Sequence, residues 1–198
     1  ILSTLNEPIE IKLFLTGDLP ADYKKLSIAT EEILDEFRSL SGGAISYQVE
    51  RPGEDLTDSA KYLIYDSLAN FGVVFERAEL EEIADEKKVN QLIIPSALII
   101  KKGKKPIAVD LRSSQKIYKP YNVLTQTPEE DVEATRNAAE ALLEFKFINA
   151  IDKLTRTYVP TVAYAVGNGE PIDLSVNDLG ETLRNEYNLA VFDLKKGY

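Results

Sequence analysis

The amino-acid sequence predicts an α/β protein in two pieces joined by a long helix. Three observations predict it. Short strand-like runs alternate with amphipathic helical runs between Ile9 and Leu111. A single helical pattern then runs from Pro128 to about Arg156, roughly 40 Å at 1.5 Å per residue and longer than one small domain needs. A fresh strand-like run opens at Tyr158, directly behind that helix. The expected division is an α/β domain over 1–126, a connecting helix over 127–157 that completes it, and the start of a second α/β domain over 158–198.

The elements follow in order. Ile9 to Leu15 alternates apolar and charged residues and then becomes wholly apolar, as a strand with one deeply buried end does. After the turn Thr16–Pro20, the positions Tyr23, Leu26, Ile28, Ala29, Ile33, Leu34, Phe37 and Leu40 mark a helix from Asp22 to Leu40, closed by Ser41-Gly42-Gly43. Ile45 to Glu50 is a strand, broken by Arg51-Pro52-Gly53, and Ser59 to about Phe71 is a second helix ending near Gly72. Val73 to Leu80 and Leu92 to Lys101 are strands, separated by a charged, solvated stretch at Glu81 to Lys88. Lys101 to Lys105 makes a hairpin turn and Pro106 to Leu111 is its return strand, with an irregular stretch behind it from Arg112 to Gln126.

A β-α-β unit followed by β-β-α is the thioredoxin-like order. Ile94-Pro95-Ser96-Ala97-Leu98-Ile99-Ile100 resembles the thioredoxin-like segment in which a proline, often cis, precedes the hairpin strand. Pro95 equally fits the start of an edge strand. Dithiol chemistry is excluded on either reading, because the chain has no cysteine.

For the long helix, Thr127-Pro128-Glu129-Glu130 predicts a threonine cap, a proline at the first helical position and a capping-box glutamate, with Lys153 and Arg156 at the far end of the dipole. Val132, Ala139, Leu142, Leu143, Phe147, Ile148, Ile151 and Leu154 form its apolar stripe. Beyond it, Val162 to Val166 is a strand, Gly167 to Pro171 a tight loop, Ser175 or Asn177 the cap of a helix to about Tyr187, and Leu189 to Leu194 a further strand. This is one Rossmann-like β-α-β unit of a truncated, doubly wound parallel domain.

Composition excludes several functions. The net charge of −10, from 33 acidic against 23 basic residues, argues against a nucleic-acid partner. Without cysteine or histidine there is no thiol nucleophile, no thiolate or imidazole metal site, and no serine–histidine or cysteine–histidine pair. No apolar run reaches membrane-spanning length and no signal peptide is evident; a chain opening at Ile1 is expected to be an excised soluble piece, with any anchor outside it.

The best small-molecule candidate is the Gly167-Asn168-Gly169-Glu170 loop, at the carboxyl end of a strand and ahead of a helix. It lacks both a third glycine in register and a Gly-Lys-Ser/Thr, so it is neither a dinucleotide fingerprint nor a phosphate loop. Two glycines also serve simply to allow a sharp turn. Tyr118, Tyr121 and Tyr158 could form a ligand or partner platform, or pack beside the long helix. The paired carboxylates Asp18 with Asp22 and Glu81 with Glu82 lie in polar runs that suit solvated surface.

Ile11-Lys12-Leu13-Phe14-Leu15-Thr16-Gly17-Asp18-Leu19-Pro20, Tyr23-Lys24-Lys25-Leu26 and Ile33-Leu34-Asp35-Glu36-Phe37 together resemble the amino-terminal region of the GldG family, the gliding-motility-associated ABC transporter components. Ile1 to Leu5, Ile94 to Leu98, Phe145 to Arg156 and Gly167 to Glu170 extend the resemblance over nearly the whole chain. The resemblance implies a membrane-anchored auxiliary or substrate-binding subunit of an ABC transport system, facing the periplasm at the inner membrane, with permease and ATPase subunits as partners. It brings no catalytic residue, metal or cofactor. Two functions are therefore expected: a non-catalytic interaction module, or a domain binding a sugar or peptide in the cleft where the two pieces meet.

Overall fold

A computed structural model of the protein describes residues 1–81, 88–113, 115–120 and 128–196. It is mixed α/β and divides into two compact units, Ile1–Leu154 and Thr155–Tyr198.

The first unit is built on a four-stranded sheet. Its strands are β1 (Ile9–Leu13), β2 (Ile45–Val49), and, after a two-stranded antiparallel ribbon of β3 (Glu76–Glu81) and β4 (Lys88–Ile93), β5 (Ser96–Lys101) and β6 (Ile107–Asp110). The sheet order is β2-β1-β5-β6, with β1 parallel to β2 and the β1–β5 and β5–β6 pairs antiparallel. Helices α1 (Ala21–Leu40), α2 (Asp58–Asn70) and α3 (Val132–Thr155) complete the unit.

Two apolar clusters tell the faces of the sheet apart. Ile9, Ile11 and Leu13 of β1 and Ala97 and Ile99 of β5 share one core with Leu34 and Phe37 of α1 and Leu143, Phe147 and Ile151 of α3. Phe37 and Phe147 meet edge to face, with centroids 6.3 Å apart. Leu98 and Ile100 of β5 join Tyr65 and Leu68 of α2, with Phe14 and Val73, in the second cluster. Covering both faces explains why Ala97 to Ile100 is apolar without alternation.

Helix ends follow the glycines. Gly43 donates to the Arg38 carbonyl and Gly42 to Ser39 behind α1, and Val73 donates to Leu68 and Gly72 to Ala69 behind α2. Both are paired closures on a glycine with positive φ. The second closure keeps Val73 out of the following strand, so β3 begins at Glu76 rather than at the expected Val73. The single strand expected over Leu92 to Lys101 is two, because Pro95 has no N–H to give a ladder and the Ser96 N–H turns back to the Ile94 carbonyl at 2.8 Å. The bond preceding Pro95 is trans.

The long helix starts later than its text suggests. Pro128 to Glu130 is not helical: Glu130 bridges Tyr118, and Lys119 donates to the Glu129 carbonyl at 2.9 Å. The cap is Asp131, whose carboxylate accepts the Ala134 N–H at 2.9 Å; Thr127 lies outside the described residues, as do Glu82 to Lys87 of the charged stretch. The buried stripe is Ala139, Leu143, Phe147, Ala150, Ile151 and Leu154, so Val132 and Leu142 face outward, against expectation. Ile28 and Leu40 of α1 are exposed in the same way, while Ser27 and Thr30 are buried and donate to the Leu15 and Leu26 carbonyls, each at 2.7 Å.

The second unit is one β-α-β: β7 (Thr161–Val166), a 3-10 turn (Leu174–Val176), α4 (Asn177–Glu186) and β8 (Asn188–Asp193), with β7 parallel to β8. Asp173 caps the 3-10 turn, accepting the Ser175 N–H at 2.9 Å, and Val176 precedes α4 with no side-chain cap, in place of the expected Ser175 or Asn177. No described helix is long and apolar enough to cross a membrane.

Candidate functional site

The glycine loop expected to bind a ligand is closed on itself. Gly167 and Gly169 take positive φ, and a Cβ on Gly167 would stand 3.3 Å from Asp193 Oδ1 and 3.4 Å from the Leu194 backbone nitrogen. Glycine is demanded there by the turn. The Glu170 carboxylate accepts the Asn168 N–H at 2.7 Å, and such backbone donors hold it below the usual carboxylate range. Tyr164 donates to the Pro171 carbonyl at 2.8 Å and fixes the far side of the loop. Tyr118 belongs to the first unit, where it is 53% exposed, and Tyr121 lies outside the described residues. Of the two separate candidates, the loop Gly167, Asn168, Gly169 and Glu170 belongs to the second unit and Tyr118 to the first.

What the first unit does bring together is a charged cleft of about 380 Å³. The amino-terminal turn of α1 supplies Asp22 and Tyr23, the start of β3 supplies Glu76, the segment behind β6 supplies Arg112 and Lys116, and the start of α3 supplies Arg136 behind Glu130. Leu26, Val132 and Ala139 give its apolar lining.

Every cation in it stands against a carboxylate. Arg112 directs Nε to Asp110 Oδ1 at 3.1 Å, one terminal nitrogen to Asp110 Oδ2 at 2.9 Å and the other to Glu76 Oε2 at 3.0 Å. Hydrogen bonds to Asp110 above all raise its pKa further, so the fork is permanently charged and fixed in plane. Lys116 donates to Glu130 at 2.7 Å, which raises its pKa, and Arg136 pairs with Asp22. Tyr23, half-buried, is pushed well above the usual phenol value, first by burial and then by the Glu76 carboxylate. Behind the cleft, Lys146 donates to the Asp110 carbonyl at 2.8 Å and to that of Arg112, and burial lowers its pKa.

A wider depression of about 550 Å³ lies beyond the carboxyl ends of β1 and β2, lined by Thr16, Glu50, Arg51 and Glu54. Its Arg51–Glu54 pair is solvent-exposed, where such pairs contribute little. The smaller cleft is the better site, because two of its pairs, Arg112–Glu76 and Arg136–Asp22, are partly buried.

The family model described as a domain of unknown function (DUF7088) matches residues 1–100, half of the chain. The chain belongs to that family. No curated protein and no solved structure matches it. The family segment supplies Asp22, Tyr23 and Glu76 to the cleft; Arg112, Lys116, Glu130 and Arg136 come from behind it.

In the sequence Asp22 reads as solvated surface, Tyr23 as part of the apolar face of α1 and Glu130 as a capping-box acid, and none of them as part of a binding site. The partner of Asp22, Arg136, stands on α3, and no local spacing links the two. Arg112 carried one usable signal: it follows Asp110 by two residues at a strand end, where an arginine can fold back onto a carboxylate.

Proposed function

We propose that this DUF7088 chain is a non-catalytic, extracytoplasmic domain of an auxiliary subunit of a gliding-related ABC transport system, acting through protein interaction. The family-like text from Ile11 to Phe37, at Ile94 to Leu98 and from Phe145 to Arg156 supports that reading. So does the pairing within the cleft, because a carboxylate engaged by a cation has to break that pair before it can serve as a general base. Pairing of Asp22, Glu76 and Glu130 with cations is the observation that carries the non-catalytic part.

In this reading the first unit is thioredoxin-like. The sheet order β2-β1-β5-β6 supports it, with α1 and α3 in one apolar cluster and α2 in the other. The second unit is the start of a Rossmann-like domain, and membrane attachment at the periplasmic face comes from segments outside these residues. The test is affinity purification of the full-length protein from its native membrane, with the co-purifying chains identified by mass spectrometry. Recovery of an ABC permease and its ATPase supports the proposal; a preparation free of both overturns it.

A second reading, a small-molecule-binding domain of a transporter, is favoured by the 380 Å³ cleft, which lies within the roughly 300–1,000 Å³ typical of ligand sites.

A further inference from the structure

The cleft of the first unit identifies a class of ligand. We infer that it binds a neutral carbohydrate of one or two rings, recognised by hydroxyl groups seated on the ion pairs Arg112–Glu76, Lys116–Glu130 and Arg136–Asp22. The inference rests on the small-molecule reading and gives it a substrate class.

Charge selects against the other classes. Three cations face three carboxylates, and each cation is engaged by one of them. An anionic ligand meets the carboxylates already seated on these cations, and a cationic ligand meets the guanidinium and ammonium groups. Either sets a like charge beside a member of each pair. A hydroxyl carries no charge, and it donates and accepts at once. It can give its proton to a free carboxylate lone pair while taking a hydrogen from the neighbouring cation, and the pair stays intact.

The donors needed are present. A guanidinium carries five N–H groups in a fixed fork, and the bonds of Arg112 to Asp110 and Glu76 use one hydrogen of each terminal nitrogen. Tyr23 adds a neutral hydroxyl and a ring edge, and Leu26, Val132 and Ala139 provide apolar surface for the C–H face of a sugar. The anchoring of Arg112 on Asp110, and of the segment behind it on Lys146, fixes these groups in place before any ligand arrives.

The test uses the full chain, isotopically labelled, followed by NMR during titration with maltose, cellobiose, lactose and N,N′-diacetylchitobiose. Inorganic phosphate and glycylglycine serve as comparators. At least one disaccharide is expected to shift the signals of Tyr23, Lys116, Val132 and Arg136 saturably, with no effect from either comparator. Lys116→Ala and Glu130→Gln, both at the rim, are each expected to weaken binding about tenfold, the value of one charge-assisted hydrogen bond, with an unchanged unfolding midpoint. Saturable shifts from glycylglycine or phosphate alone overturn the carbohydrate class and leave the small-molecule reading standing. No shift at these residues with any probe overturns both.

Discussion

Asp131 accepts the backbone N–H of Ala134 at 2.9 Å, and this bond sets the first turn of the longest helix in the chain. The competing start, with Glu129 and Glu130 as first-turn acids, is lost to pairing: these side chains go to Lys119 and Lys116 and their backbone lies against Ile117 to Lys119. Asp131→Ala is expected to lower the unfolding free energy by about 1 kcal/mol, the usual value of a side-chain cap, and Asp131→Asn to stay within a few tenths of it. Urea denaturation of the two variants checks this. Equal losses in both would make the charge, not the cap, the source of stability.

Gly17 and Arg51 form a second relationship that sequence spacing hides. Gly17 has φ of 106°, and a Cβ there would stand 2.6 Å from Arg51 Cζ and 2.8 Å from its Nε. Gly17→Ala therefore combines a backbone penalty of about 1 kcal/mol with a clash against a movable side chain. Adding Arg51→Ala should recover the steric part and leave the backbone part. A double-mutant cycle by chemical denaturation reads the coupling directly; strictly additive losses would mean that Arg51 moves away without cost.

Tyr23 makes the fold sensitive to alkali. Its proton is held in the folded state by burial and by Glu76, whereas the unfolded chain releases it near the ordinary value of 10.0. Above that pH the folded state binds more protons than the unfolded one, so stability is full below it and falls as pH rises. Tyr23→Phe removes this contribution. Measured from about pH 9 to about pH 11, the variant should lose stability less steeply than the parent chain. Parallel slopes would place the alkaline sensitivity at other groups whose pKa is raised, Tyr47, Lys116 and Lys119.

How much of this was legible in the sequence depended on the range of the interactions. The strands Ile9–Leu13 and Ile45–Val49 and the ends of α1 and α2 at Gly42 and Gly72 are written locally, in alternation and in glycines that must adopt positive φ. The start of α3 was misread because two neighbouring stretches each carry a cap signal. Asp131 and the Thr127–Glu130 text both look like caps, and only pairing with Ile117 to Lys119, some twelve residues earlier, decides between them. The division of Leu92 to Lys101 turned on Pro95, whose missing N–H was visible but whose neighbour Val74, bonded to Ser96 Oγ at 3.0 Å, was not. The cleft was the least legible part, since Asp22 meets Arg136 and Glu76 meets Arg112 only after α1, the β3–β4 ribbon and α3 have docked on the sheet.

The faces of α3 give the sharpest test of the packing. Phe147 is fully buried and meets Phe37 of α1 edge to face, in the same core as Ile11 and Ile99 of the sheet. Phe145, two positions earlier, is 66% exposed. Two residues rotate the helix by about 200°, so equal side chains at these positions have opposite surroundings. Phe147→Ala should destabilise by about 3–5 kcal/mol through lost burial and the cavity left between α1, α3 and the sheet. Phe147→Leu should cost clearly less, because most of the volume remains. Phe145→Ser should change the unfolding free energy by no more than about 0.5 kcal/mol. Urea denaturation of the three variants compares them on one scale. A loss at Phe145 approaching that at Phe147 would mean that α3 buries a second face, and a small loss at Phe147→Ala would mean that α1 and α3 close over the gap.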